Sequence, residues 1–279
     1  EEVWYSEGSP FPKDAIILQI EESTEALGRN HSLDSGLLGE INSTLRALLK
    51  NIKAKETSTY KVKVAERSEM LRSRKKNRIQ THKDRLDRSK DRRPMSMAMA
   101  MGTLSRILPQ EIIIVEESIT ASIDLERSFK FDHAGNYFGG RGGGIGQGLA
   151  GAIGVQLASP GRRVACISGD GSAMYSIQAL WTAANKNLPI IFVILSNREY
   201  RVLKHNTDIY RKNFASESNL GYAQMDLANP KLDFVKLAAG MGVIGELVQE
   251  PEELLSAVDQ ALSRSAPCLI EIEVEGKLG

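Results

Sequence analysis

The stretch that decides the fold runs from Gly169 to Asn197 and reads GDGSAMYSIQALWTAANKNLPIIFVILSN. The apolar pattern predicts a strand over residues 163–168, a helix over 172–187 and a second strand over 189–196. Asp170 and Asn197 would then follow two strands of one parallel sheet, at the edge where such sheets bind ligands. Glycines allow the backbone to turn close to phosphate oxygens, and Mg²⁺ prefers oxygen ligands that it shares with phosphates. The stretch therefore predicts a site that holds a diphosphate through a divalent metal.

Helix and strand patterns alternate from Pro94 to the end of the chain. Further helices are predicted over residues 95–108, 146–158, 233–239 and 251–264, and further strands over 112–115, near Val243 and over 268–274. A polar loop is predicted between Asn197 and the helix at 233. Repeated βα units of this kind predict an α/β fold with a doubly wound, mostly parallel sheet flanked by helices.

The first 93 residues have a different character. A buried strand over residues 15–20 and an amphipathic helix over 37–52 are too little for a whole domain, so we expect residues 1–55 to be the C-terminal part of a second, Rossmann-like α/β domain. Residues 72–93 carry eleven Lys or Arg and three Asp, a local charge of +8. We interpret residues 56–93 as a basic helix and linker, with a nucleic-acid patch as the alternative. Residues 72–93 contain no Phe, Tyr or Trp for base stacking.

Bulk composition excludes several classes of protein. The 279 residues are 42% apolar and 25% charged, with a net charge of +1, which is ordinary for a globular protein and gives no overall attraction to nucleic acid or membrane. No apolar run reaches the length of a membrane span. Cys166 and Cys268 both lie in apolar, strand-like runs, which indicates reduced thiols and a cytoplasmic location.

A glycine-rich segment offers a competing interpretation. Residues 146–151 match the dinucleotide fingerprint G-x-G-x-x-G, which would suggest an oxidoreductase. That fingerprint requires a strand directly before it, whereas Asn136-Tyr137-Phe138 and a run of glycines precede it here. We therefore do not favour dinucleotide binding.

The stretch from Gly169 to Asn197 resembles the thiamine diphosphate-binding motif, in which Gly-Asp-Gly is followed some two dozen residues later by an Asn pair. Here the pair reads Ser196-Asn197, so the position of the metal-binding Asn is kept. The run from Gly169 to Ala184 looks most like benzoylformate decarboxylase, and acetolactate synthases and other 2-keto acid enzymes are the wider circle. The resemblance implies that residues 94–279 form the thiamine diphosphate-binding domain.

The resemblance also implies a set of ligands. The metal would bind Asp170, Asn197 and the main-chain carbonyl of Glu199, and Ile145 in a Gly-Gly-x-Gly turn would support the thiazolium ring. A hydroxyl of Ser118 or Thr120 would reach the diphosphate, with a helix N-cap as the equal alternative. The predicted cofactor-binding residues are Ser118, Thr120, Gly143, Gly144, Ile145, Gly169, Gly171, Ser172, Ala173, Asn197 and Tyr200.

The function implied is that of a thiamine diphosphate- and Mg²⁺-dependent lyase or transferase acting on 2-keto acids, most like benzoylformate decarboxylase. An acetolactate synthase-like carboligase, a 2-hydroxyacyl-CoA lyase and a non-catalytic cofactor-binding subunit are the alternatives, and a flavoprotein is not expected.

The resemblance places the activating glutamate of this family in an N-terminal domain that these residues do not include, so the catalytic residues stay unknown. We expect a pyrimidine-binding domain on another chain or a lost segment. We also expect a homo- or hetero-oligomer, such as a dimer of dimers, without nucleic-acid or membrane partners.

Overall fold

The computed structural model describes residues 10–140, 142–214 and 220–276. Contacts within the chain define two compact units, with the boundary between Arg78 and Ile79. The sequence-based boundaries at residues 55 and 93 stay predictions.

In its described residues, 10–78, the first unit contains a two-stranded parallel sheet and one complete helix. Strand β1 (Leu18–Glu21) pairs with β2 (Ser35–Leu38), and helix α1 (Ile41–Ala54) follows. The helix begins at Ile41 because the carboxylate of Glu40 accepts the N–H groups of Asn42 and Ser43. The predicted helix start at residue 37 is therefore wrong, and Leu37 and Leu38 belong to a strand. That strand has four residues, which is too short for a periodic signal.

The basic segment forms one long helix, α2 (Ser58–Ser89), which crosses the boundary between the units. Most of its side chains are exposed, as expected for a solvated helix. Near its C-terminal end, Arg85 donates to the buried carboxylate of Asp124 at 2.7 Å. Leu86 packs against Gly102, where a Cβ would lie 3.1 Å from the Leu86 methyl groups.

The second unit is built on a six-stranded sheet in the order β4-β3-β5-β6-β8-β7, with all neighbours parallel. Its strands are β3 (Ile113–Glu117), β4 (Tyr137–Gly139), β5 (Val164–Gly169), β6 (Ile191–Ser196), β7 (Ile244–Val248) and β8 (Cys268–Glu273). The predicted class, a doubly wound parallel sheet flanked by helices, is confirmed.

Helices cover both faces of this sheet. One face packs against α3 (Met97–Ile107), α4 (Ser122–Ser128) and α10 (Pro251–Ser263), and the other against α5 (Gln147–Ala158), α7 (Ala179–Asn185) and α9 (Phe234–Gly240). Along β5, Ala165 and Ile167 face the first layer while Val164 and Cys166 face the second. Burial on both faces explains why the central strands read as continuous apolar runs.

Two predictions about helices in this unit are wrong: one predicted helix is broken, and one predicted loop contains a helix. The helix predicted over residues 172–187 is a four-residue helix α6 (Asp170–Ala173), a connecting segment and α7. The connection winds tightly, since Tyr175 N donates to Ser172 O and Ala179 N donates to Ser176 O. The sequence predicts a polar loop after Asn197, but this region contains helix α8 (Arg201–Phe214). No helix within the described ranges has the length and apolar character needed to cross a membrane.

Candidate functional site

Three neighbouring strands end at one edge of the sheet and surround a cavity. In register, Glu117 at the end of β3 pairs with Ser168 of β5, and Gly169 pairs with Leu195 of β6. The cavity has a volume of about 260 Å³. Its described lining consists of Met97, Ser118, Ile119, Thr120, Ile145, Gly169, Asp170, Gly171, Ser172, Tyr175, Leu195, Asn197, Glu199, Tyr200, Arg201, Val202, Leu203 and Gln224.

Asp170 lies at the centre of this edge and is 4% exposed. Its Oδ1 accepts the N–H of Gly171 at 2.7 Å, and its Oδ2 accepts the N–H of Arg198 at 2.6 Å. Burial raises the pKa of Asp170 to about 6, although the hydrogen bonds from Arg198 and Gly171 act in the opposite direction. A cation beside this carboxylate would offset the cost of its buried charge, so the residue fits a metal site.

Asn197 follows β6 directly and lines the same cavity as Asp170. Its side-chain oxygen accepts the N–H of Glu199 at 3.1 Å. Glu199 lines the cavity too, but its carboxylate is paired with the ammonium of Lys204. That pairing leaves the main-chain carbonyl as the group that Glu199 would offer a metal, which is the role that the resemblance implies.

The groups that could bind a metal here are of three kinds: a carboxylate, a side-chain amide and a main-chain carbonyl. In the described part of the chain, no three His, Cys, Asp or Glu side chains cluster to hold a metal. Asp170, Asn197 and a main-chain carbonyl supply oxygen donors alone, and they leave coordination positions to be filled by phosphate oxygens. This composition fits Mg²⁺ bound together with a diphosphate.

The turn after β3 carries the predicted hydroxyls of Ser118 and Thr120, and both residues line the cavity. The Ser118 hydroxyl and its N–H both donate to Glu116 Oε1, which also accepts the Ser122 hydroxyl at 2.8 Å. Ser118 therefore does not cap the following turn through its side chain, and that alternative is wrong for this residue. Ile119 has a φ of +51°, a left-handed conformation that costs a β-branched residue free energy.

Glu117 holds the glycine turn, Gly143-Gly144-Ile145-Gly146, to the end of β3. It is a buried residue for which the sequence predicts no role. Its carboxylate accepts three consecutive N–H groups, from Gly146 at 2.6 Å, Gln147 at 3.2 Å and Gly148 at 2.9 Å. These amides form the N-terminus of α5, where a dinucleotide would place its diphosphate. Because a carboxylate of the chain already fills that position, the structure argues against the dinucleotide interpretation.

The remaining predicted ligands fall into two groups. Ile145, Gly169, Gly171, Ser172 and Tyr200 line the cavity, and a Cβ on Gly171 would lie 2.6 Å from the Tyr200 ring. Gly171 donates its N–H to Asp170, so the amide predicted for phosphate already has a partner. Gly143, Gly144 and Ala173 are absent from the described lining, and the Ala173 side chain is fully buried.

Sequence reasoning missed several residues of the lining. Val202 and Leu203 belong to α8, which was expected to be a loop, and Gln224 lies in the segment after α8. Met97 is the first residue of α3, and Tyr175 lies in the connection between α6 and α7. Val202 and Leu203 form an apolar pair in a predominantly polar segment, and this pair is the sequence signal for the part of the cavity wall that α8 contributes.

Comparison with known proteins places the chain in a family. Residues 120–272, more than half of the chain, match the model of the thiamine pyrophosphate enzyme C-terminal TPP-binding domain. The chain therefore belongs to the thiamine pyrophosphate enzymes and carries their cofactor-binding C-terminal domain, which confirms the predicted family.

The chain is similar to both an acetolactate synthase and a benzoylformate decarboxylase. A putative acetolactate synthase large subunit IlvX from Mycobacterium tuberculosis is 33% identical over 66% of this chain and 36% of its own length. The benzoylformate decarboxylase of Pseudomonas aeruginosa is 35% identical over 65% of this chain and 33% of its own length. The chain thus spans about a third of the length of these curated relatives.

Solved structures agree with this placement. The thiamine diphosphate-dependent 4-hydroxybenzoylformate decarboxylase of Rhodococcus jostii RHA1 matches 67% of this chain and 34% of its own, with a TM-score of 0.61 and 34% identity. The benzoylformate decarboxylase of Polynucleobacter necessarius matches 99% of this chain and 47% of its own, with a TM-score of 0.74. At 20% identity, the second match shows a shared fold alone.

Proposed function

We propose that this chain supplies the diphosphate- and Mg²⁺-binding part of a thiamine diphosphate-dependent enzyme that acts on 2-keto acids, most like a benzoylformate decarboxylase. The observation that carries the proposal is the placement of Asp170 and Asn197 on one cavity, at the ends of the neighbouring strands β5 and β6. Two relatives at 34% and 35% identity are described as decarboxylases of benzoylformate or its 4-hydroxy form, which supports that substrate class.

Each residue has a proposed task at this edge. Asp170, Asn197 and the Glu199 carbonyl would hold Mg²⁺, while Ser172 and Thr120 would contact the diphosphate. Ile145, which is 46% exposed at the cavity, would support the thiazolium ring from below. When bound, the cofactor supplies a carbon nucleophile and an electron sink for decarboxylation. Tyr200, packed on Gly171, would keep water from the edge of the cofactor.

We also propose partners and a cellular location for this chain. The activating glutamate and the pyrimidine-binding surface would come from another domain, on this polypeptide or on a second one, within a homo- or hetero-oligomer such as a dimer of dimers. A cytoplasmic location is supported by two buried, free cysteines. No nucleic-acid or membrane partner is part of this function.

The test starts from the native protein. We would purify it from its source, measure intact mass and subunit composition, and assay thiamine diphosphate and Mg²⁺ in the same sample. The cofactor-loaded sample would then be given benzoylformate and pyruvate separately. We expect stoichiometric cofactor and release of CO₂ with benzoylformate as the preferred substrate. Acetolactate formation from pyruvate at a higher rate would replace the decarboxylase assignment with carboligation, and full cofactor without turnover would indicate a non-catalytic subunit.

A further inference from the structure

Arg198 lies between two of the proposed metal ligands and is held on three sides. Its main-chain N–H donates to Asp170 Oδ2 at 2.6 Å, and its carbonyl accepts the N–H of Leu227 at 2.8 Å. Its guanidinium Nη2 lies 2.8 Å from Glu273 Oε1. Arg198 is therefore connected to the end of β5, to the segment after α8 and to the end of β8.

The backbone of Arg198 has an unusual conformation. Its φ is +60°, in the left-handed region where glycine is at home and other residues are uncommon. This conformation directs the Arg198 N–H towards Asp170. A residue with a Cβ holds such a conformation when its surroundings over-determine it, and such positions cluster at functional sites.

Glu273 is the fixed end of this contact. It is the last residue of β8 and pairs in register with Ser196, the residue before Asn197. Its Oε1 faces Arg198, and its Oε2 accepts the side-chain amide of Gln249 at 2.9 Å. Because Gln249 directly follows β7, the contacts Gln249–Glu273, Glu273–Arg198 and Arg198–Asp170 join the ends of four strands. We call these three contacts the strand-end relay.

We propose that Arg198 is a positioning residue for the metal. Through the strand-end relay it holds Asp170 and the flanking ligands Asn197 and Glu199 at the separation that Mg²⁺ and a diphosphate need, without touching the metal itself. This inference rests on the proposed function of the site. It assigns a metal-positioning role to Glu273 as well, at a distance from the cavity, since Glu273 is absent from the described lining.

If Arg198 acts through the strand-end relay, removing Glu273 should affect the metal site as well. If Arg198 acts only through its own backbone, it should not. Arg198→Gly accepts the left-handed backbone without cost and keeps the main-chain N–H, but it removes the contact with Glu273. Glu273→Gln leaves the Arg198 backbone untouched and weakens the same contact from the other side. If the relay positions the metal, both variants lose Mg²⁺ affinity, and the double variant loses no more than Arg198→Gly alone because one link is being cut.

The experiment is a calorimetric titration of the full chain with Mg²⁺ in the presence of saturating thiamine diphosphate. We expect Arg198→Gly and Glu273→Gln to raise the Mg²⁺ Kd by about 10–100-fold, the usual effect of removing a group that orients a metal ligand. Thermal unfolding without cofactor should show that Arg198→Gly is no less stable than the wild type, which separates metal positioning from general destabilisation.

The matched control is Glu275→Gln. Glu275 pairs with Arg92 at 3.2 Å and is 16% exposed at its side chain, against 15% for Glu273, but the pair lies outside the relay. Its loss should leave the Mg²⁺ Kd unchanged. Wild-type affinity in both relay variants, or an equal loss in the control, overturns the inference while the proposed function stands. If the wild-type chain binds neither ligand, the proposed function and the inference fall together.

Discussion

Three buried carboxylates beside the cavity have different roles because their neighbours differ. Glu116 accepts hydroxyls from Ser118, Ser122 and Tyr137, and Glu117 accepts three N–H groups of the glycine turn. Asp170 accepts two amides and lines the cavity, so it is the carboxylate that a cation in the cavity would meet. The first two shape the walls of the site, and the third is positioned to hold a ligand.

Ile145 should affect turnover more than binding. Ile145→Gly removes a side chain that lines the cavity but leaves Asp170 and Asn197 in place. We expect kcat of the assembled enzyme to fall by about 10²-fold, the effect expected when a reacting group is misplaced by about 1 Å, with little change in cofactor Kd. Steady-state kinetics and calorimetry measure the two quantities. A Kd that rises in parallel with the loss of kcat would show that Ile145 serves binding instead.

Glu117 should matter for local order at the glycine turn. In Glu117→Gln the side-chain amide would turn N–H groups towards N–H donors, so at least one amide of residues 146–148 loses its acceptor. We expect the free energy of unfolding to fall by about 1–3 kcal/mol. Amide exchange of residues 146–148 should also become faster. Glu252→Gln, on an exposed position of α10, is the control and should change neither; slow exchange retained in Glu117→Gln would contradict this account.

The two cysteines should be unreactive in the folded protein. Burial raises the pKa of Cys268 to about 11, against the opposing effect of Arg163 and Arg264, and burial raises the pKa of Cys166 further. A raised pKa keeps a thiol protonated at lower pH, and the thiolate is the reactive form. At pH 8 we expect no labelling by an aromatic disulfide reagent in buffer and labelling of two thiols per chain in denaturant. Rapid native labelling would show that one of these strands opens.

At the scale of elements, the sequence predicts the sheet well and its surroundings less well. The central strands β3, β5, β6 and β8 are predicted within two residues because burial on both faces makes them continuous apolar runs. Strands β2 and β4 have four and three residues and give no periodic signal. Helix α8 is predominantly polar, but Val202, Leu203, Ile209, Tyr210 and Phe214 recur at helical spacing, a signal that the prediction of a loop overlooks.

The site shows the same division. The proposed ligands Asp170 and Asn197 can be predicted from a motif, because each follows one of two neighbouring strands. Contacts that cross the sheet edge, such as Glu117 with Gly146 or Arg198 with Glu273, join residues that are far apart in the chain and leave no local pattern. Sequence reasoning from a single chain therefore predicts Asp170 and Asn197 as ligands but does not predict these contacts between strand ends.

The layer of α3 and α10 should account for much of the stability of the second unit. Leu104 of α3 is fully buried in the core shared with Leu254 and Val258 of α10. Leu104→Ala should lower the free energy of unfolding by about 2–5 kcal/mol, since it removes buried methyl groups and leaves a cavity. Urea unfolding measures this, with Leu157→Ala, an exposed position on α5, as the control. Equal small losses in both variants would contradict the assigned core.

At the scale of the whole molecule, the residues proposed to bind the cofactor lie at one edge of the parallel sheet. The ends of β3, β5 and β6 deliver the turn of Ser118, the Asp170 corner and Asn197, while β7 and β8 deliver Gln249 and Glu273 behind them. Residues at this edge come from separate parts of the second unit, so the site exists only in the folded sheet. We propose that this edge binds thiamine diphosphate through Mg²⁺.

The measurement that tests this claim most directly is a titration of the chain with thiamine diphosphate, in Mg²⁺ and again in EDTA, for the wild type and Asp170→Ala. We predict binding by the wild type in Mg²⁺, none in EDTA, and none by a folded Asp170→Ala in either condition. Equal affinity of Asp170→Ala and the wild type, or binding that is indifferent to Mg²⁺, would contradict the account.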